Sequence, residues 1–159
     1  MADARVNNQD PSPRSVLPPV YFLLALSGMT CFHVFLPVHR ILSGPWRYLG
    51  LIPLPLAMAL VLWAARLFGR AGTAIRPFER SSILVLDGPF RLTRNPMYVG
   101  MTGILVGVGI LLGSLLPFFV IPVFILVIDR RFVQHEEAIL EDTFGQEYSA
   151  YRSRVRRWL

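Results

Sequence analysis

MYVGMTGILVGVGILLGSLLPFFVIPVFILVI, running from Met97 to Ile128, is apolar throughout and carries no charged residue. As one straight helix its 32 residues would reach about 48 Å, against a bilayer hydrocarbon core of about 30 Å. One straight span is therefore too long for the bilayer. Gly113-Ser114 divides it into two arms, with Pro117 just beyond, so the sequence predicts a helical hairpin that returns the chain to the side it left.

The rest of the chain agrees with a lipid environment. Of the 159 residues 53% are hydrophobic and 16% charged, and mean hydropathy is +0.49. Soluble domains carry about 25% charged residues, so this chain has too few to cover a water-facing surface. Two further spans precede the hairpin, giving spans at about 17–36, 49–68, 97–112 and 115–128 in an all-α polytopic membrane protein. Residues 1–15 read as a disordered N-terminus. Residues 16–159 read as one domain, with a tail over 129–159. The apolar run from Val16 is longer than a signal-peptide core of about 7–15 residues.

Charge fixes the orientation. Net charge is +6, and every basic residue is arginine. With four spans, fourteen of the sixteen arginines fall on one side and only Arg40 and Arg47 on the other. By the positive-inside rule both termini are then cytoplasmic. Basic charge beside apolar segments favours a membrane surface over nucleic acid as partner. The lone Cys31 excludes an intrachain disulfide framework.

Three features on the arginine-rich side bear on chemistry. Arg94-Asn95-Pro96-Met97-Tyr98 puts an amide, a phenol and a helix start together; Pro96 suits the first helical turn, and the unpaired amides there can bind an anion. The plain alternative is a helix cap and an interface tyrosine. Glu136-Glu137 is an acidic pair beside an apolar stripe of Phe132, Leu140 and Phe144, costly near lipid unless a cation meets it. That cation is either Arg94, Arg130 or Arg131 in a structural salt bridge, or part of a ligand. Gly100, Gly103 and Gly107 suit close helix packing. His33 reads as a packing or interhelical hydrogen-bonding residue, and no histidine has a partner at metal-ligand spacing. Gly145 is a helix break, and Tyr148, Tyr151, Val155 and Trp158 recur as one face of a second amphipathic helix on the inner leaflet.

Ala71-Gly72-Thr73, Gly88-Pro89-Phe90-Arg91, Arg94-Asn95-Pro96-Met97-Tyr98-Val99-Gly100, Glu136-Glu137, Phe144-Gly145-Gln146-Glu147-Tyr148 and Val155-Arg156-Arg157-Trp158, in this order around an apolar hairpin, resemble the isoprenylcysteine carboxyl methyltransferase and phospholipid methyltransferase family. The resemblance covers about residues 70–158. It implies an integral membrane methyltransferase of a bacterial inner membrane that uses S-adenosyl-L-methionine. It further implies cofactor contacts from Leu84, Val85, Asn95, Pro96, Met97, Tyr98 and Glu137. Asn95 and Phe90 stand where isoprenylcysteine enzymes carry His and Tyr, and Asn is the form seen in the phospholipid-directed branch and in many bacterial relatives. Val133 aligns with the family's substrate-binding arginine. Arg130 and Arg131, a turn away, are the substitutes, with Glu136 beside them on the substrate side. The implied acceptor is lipophilic: an isoprenylcysteine-type carboxylate, a phospholipid amine or a small lipophilic molecule. A reading from another class is a non-catalytic membrane assembly or lipid-binding protein, in which both glutamates pair with arginines.

Overall fold

The computed structural model describes residues 17–36, 38–70 and 83–159. The expectations for residues 1–15 and for Ala71-Gly72-Thr73 lie outside the described residues.

Helix α1 (Pro18–Phe35) starts on a proline pair, whose missing N–H groups would be orphaned in a first turn anyway. A 3₁₀ segment (Gly44–Leu51) leads into α2 (Pro53–Arg70), and Pro53 begins the α-helical part. Together the two make one apolar rod, Gly44–Arg70, and this rod and α1 are each long and apolar enough to cross a membrane. The apolar stretch forms α3 (Pro96–Leu112) and α4 (Leu115–Ile128), divided at Gly113 as expected. Gly113 sits at φ 67°, a left-handed cap that a side chain would strain.

Helix α3 is the hub of the bundle and touches α1, α2 and α4. Three of its glycines face α2. A Cβ on Gly107 would lie 2.8 Å from Leu54, one on Gly103 2.9 Å from Ala57, and one on Gly100 would run into Val61. The glycine series is thus a packing seam, in which absent side chains let two backbones approach. On its other side the core gathers Met29, Leu105, Ile121, Phe124, Ile128 and Phe132. The outside is more apolar than a soluble surface tolerates: Leu24, Leu56, Phe119 and Val123 are each about 60% exposed or more. Such a belt is at home in acyl chains.

At the hairpin turn, the loop after α1 is laced to Gly113 and Ser114. Ile41 and Leu42 donate to the Gly113 carbonyl (2.9 and 3.1 Å), Leu115 donates to that of His39 (3.2 Å), and the His33 ring bonds the Ser114 hydroxyl at 2.7 Å. His33 is therefore the interhelical hydrogen-bonding residue the sequence suggested.

The tail departs from expectation in two ways. The chain does not leave helix at Ile128. It passes through a π-helical turn (Asp129–Val133) straight into α5 (Gln134–Phe144). After Gly145, at φ 51°, α6 (Gln146–Arg154) follows, but it stops short of the full 148–158 face. Val155 turns extended, and residues 155–159 run back as a strap beside the start of α3. The aromatic face also points inward. Tyr148 is 1% exposed, and the Tyr151 hydroxyl donates to the Phe90 carbonyl at 2.7 Å. Protein covers the surface that the periodicity assigned to lipid.

Candidate functional site

The site lies where α3 begins, α5 begins and the strap ends. Pro96 occupies the first turn of α3, but Asn95 does not cap that helix with its side chain. Its amide nitrogen donates to the Arg157 carbonyl at 3.1 Å, and the Thr93 hydroxyl donates to the same carbonyl at 3.0 Å. The Arg94 backbone N–H donates to the Arg156 carbonyl at 2.9 Å. Three contacts thus fasten residues 93–95 to the strap.

The acidic pair faces two ways. Tyr98, 8% exposed, donates its hydroxyl to Glu136 Oε1 at 2.8 Å. Tyr98 and Glu137, both implied as cofactor contacts, do not hydrogen-bond to each other; the phenol goes to Glu136. Neighbouring residues on a helix point about 100° apart, and the π-turn between α4 and α5 shifts the phase that counting from Ile128 would give. Burial pushes the Glu136 carboxyl above its usual range, partly opposed by the hydrogen bond from Tyr98.

Glu137 is 7% exposed and held by two arginines. Arg94 reaches Oε1 at 3.1 Å; Arg157 grips both oxygens, Nε to Oε1 at 3.0 Å and Nη2 to Oε2 at 2.6 Å. Of the structural partners foreseen for the pair, Arg94 is realised. Arg130 and Arg131 are exposed on the π-turn, while Phe132 and Val133 are buried. The carboxylate in turn holds the Arg157 guanidinium firmly protonated. Asp129 completes the cluster, accepting from the Trp158 indole N–H at 3.2 Å and lying 3.5 Å from Arg157. Arg94 packs its side chain almost wholly inside, and its Nε is buried with no hydrogen-bond acceptor. A buried donor of this kind costs free energy unless something else meets it.

Of the residues implied by resemblance, Asn95, Pro96, Met97, Tyr98, Glu136 and Glu137 converge here across the hairpin. Leu84 and Val85 are half-buried in the irregular segment ahead of the Gly88 turn. Sequence reasoning missed Arg157, Asp129, Trp158 and Thr93. Trp158 set among the arginines of the tail was the available signal, but its face was assigned to lipid.

Comparison with known proteins bears on the family and the fold. The chain is 41% identical over 63 residues, 40% of its length, to the whole of an uncharacterized protein of Haemophilus influenzae. It is similar in structure to a eukaryotic intramembrane Ras methyltransferase, isoprenylcysteine carboxyl methyltransferase, with a TM-score of 0.61, 23% identity and 86% of this chain covered. The chain spans 50% of the length of that enzyme, and the likeness establishes a shared membrane fold. A phospholipid methyltransferase family model matches residues 45–147, from the 3₁₀ segment through α5. With about two thirds of its residues inside that match, the chain belongs to the phospholipid methyltransferase family.

Proposed function

We propose that the protein transfers a methyl group from S-adenosyl-L-methionine to a lipophilic acceptor at the cytoplasmic face of a membrane. The observation that carries this reading is the meeting of Tyr98 and Glu136 across the hairpin, inside the family-matched region. Two residues 38 positions apart, on the first turns of α3 and α5, form one polar floor beneath an apolar bundle.

The residues present suit such a cofactor. Its ammonium calls for a carboxylate, and Glu136 and Glu137 are both at hand. Its carboxylate calls for a cationic donor, and Arg94 offers a buried Nε without an acceptor. Asn95, Pro96, Met97, Tyr98 and Glu137 are the residues that would hold it, with Leu84 and Val85 on the approach. Once bound, the cofactor supplies an electrophilic methyl on a sulfonium. The chain's own part is positioning and exclusion of water, which methyl transfer requires of an in-line acceptor. The strap fixes Asn95, the arginines fix Glu137, and Tyr98 orients Glu136. To meet a cofactor ammonium, Glu137 must release Arg157, the more exposed of its two partners. A carboxylate acceptor needs no base. An amine or thiol does, and Glu136, whose affinity for a proton is raised, and His135 are the candidates. Arg130 and Arg131, exposed beside the site, are candidates for an acidic acceptor group.

Calorimetry on the purified protein in detergent should register binding of S-adenosyl-L-methionine or its demethylated product. Absence of binding at millimolar cofactor sinks the proposal. Labelled cofactor incubated with host lipid extract should then yield a labelled lipophilic product that identifies the acceptor. The ion-paired state of Glu137 is also what a non-catalytic lipid-binding protein would use, and a stable fold without cofactor binding would favour that reading.

A further inference from the structure

At the far end of the bundle, about 21 Å along α3 from Tyr98, lies a cavity of about 110 Å³. It is lined by His33, Arg40, Ser43, Arg47 and Leu112 among others. One water needs about 10–15 Å³ measured in this way, so the space admits a group with several oxygens. Arg40 and Arg47, the two arginines that the four-span reading of the sequence sets apart from the rest, both line this one cavity.

Among the described residues no carboxylate pairs with either of them. Between Asp10 and Glu79, and again between Asp87 and Asp129, the sequence contains no carboxylate. All the segments that build this end of the bundle fall in those two intervals. Arg47 is nonetheless oriented: its guanidinium stacks 5.1 Å from the centre of the Tyr48 ring and donates to that hydroxyl at 3.1 Å. Arg40 is placed by the backbone, through its pairing with Ser114 at the hairpin turn. Two positioned guanidiniums without a counter-ion suit phosphate, whose oxygens match the arginine fork. The surround is a membrane interface, with Trp46 65% and Tyr48 53% exposed and Val38, Ile41 and Leu49 exposed beside them. Acyl chains would lie against these side chains while the headgroup sits in the cavity. The lack of any carboxylate also selects among lipids, because a zwitterionic headgroup brings an ammonium with no partner here.

We infer that Arg40 and Arg47 form a binding site for the phosphate of an anionic phospholipid, on the membrane face opposite the candidate methyltransferase site. The bound headgroup acts as the missing counter-ion and ties the α1–α2 loop and the 3₁₀ segment to the α3–α4 turn. This site is independent of the methyl-transfer reading.

The test uses delipidated full-length protein in dodecyl maltoside, titrated with dioleoylphosphatidylglycerol while the thermal unfolding midpoint is followed. Arg40→Gln/Arg47→Gln should weaken the apparent affinity about thirtyfold, at roughly the contribution of two interfacial arginines. The charge-matched control Arg91→Gln/Arg152→Gln, at the other end, should leave it unchanged. Equal weakening in both double variants would show general charge attraction and overturn the site, as would no weakening in the first. Dioleoylphosphatidylcholine should stabilise less than the glycerol lipid; equal stabilisation contradicts the selection argument. Inorganic phosphate is the remaining arm: if it reproduces the whole shift at matched phosphate concentration, the occupant is a free phosphate and the lipid assignment fails. Should the double variant not fold, the single variants Arg40→Gln and Arg47→Gln carry the test, each expected about fivefold weaker.

Discussion

Replacing Glu137 by glutamine keeps the volume and removes the charge that two arginines share. The side chains of Glu137 and Arg94 are each 9% exposed, and that of Arg157 is 31% exposed. After the substitution Arg94 stays buried with no carboxylate, and its Nε is already unsatisfied. Breaking a buried pair from one side costs about 3–5 kcal/mol because the other charge is stranded. Arg157 can relax toward solvent, which places the expected cost of Glu137→Gln near the lower bound, about 3 kcal/mol. Arg157→Gln is the informative comparison. Arg94 still neutralises Glu137 at 3.1 Å, so only the contacts at 2.6 and 3.0 Å are lost from a partly solvated partner. A loss of about 1–2 kcal/mol is expected. The double variant should cost less than the sum of the singles, because the contact they share can be lost only once. The assay is reversible unfolding in mixed dodecyl maltoside and SDS micelles, read by tryptophan fluorescence. If Glu137→Gln costs under about 0.5 kcal/mol, or Arg157→Gln costs more than Glu137→Gln, the account of Glu137 as the centre of the cluster is wrong.

Other outcomes follow from the same geometry. Because the Glu136 carboxyl binds its proton more tightly when folded than when unfolded, wild-type stability should fall as pH rises from about 4.5 through the raised value; Glu136→Gln should flatten that slope in thermal unfolding scans across pH. Tyr98→Phe removes a hydrogen bond that holds the Glu136 carboxylate down, so it should move the titration further up and cost about 1–2 kcal/mol in the micelle assay. Gly100→Ala drives a methyl into Val61 and toward the Ala57 carbonyl; overpacking of this kind costs about 1–3 kcal/mol, seen as a lowered unfolding midpoint. Gly28, with nothing within 4 Å of an added Cβ, is the matched control and should tolerate alanine in the same measurement.

The hairpin was legible because a charge-free run too long for one span, broken by Gly113-Ser114, has few ways to fold. The glycine seam was legible for a similar reason: Gly103 and Gly107 at four-residue spacing leave one helix face without side chains. The strap was not legible. Tyr148, Tyr151, Val155 and Trp158 have helical spacing, and periodicity cannot tell whether lipid or protein will cover a face. Only the tertiary contacts from Tyr151 to Phe90 and from Arg157 to Glu137 decide that. The division of labour between Glu136 and Glu137 was hidden for a different reason. A π-turn has no reliable sequence signature, and one extra residue per turn rotates everything after it.

The strap also imposes an order of events during synthesis. Asn95 and Thr93 find their acceptor 62 and 64 residues later, in the Arg157 carbonyl. At translation rates of about 5–20 residues per second, the α3 entrance waits roughly 3–12 s for that partner. Arg94 lacks Glu137 for about the first two thirds of this interval and the strap for all of it, and the polar end of the hairpin stands open at the membrane surface. A nascent chain stalled before residue 157 would hold its helices in the bilayer yet lack the clasp, and so would present a basic, unsatisfied loop to any protease or chaperone that surveys unfinished membrane proteins.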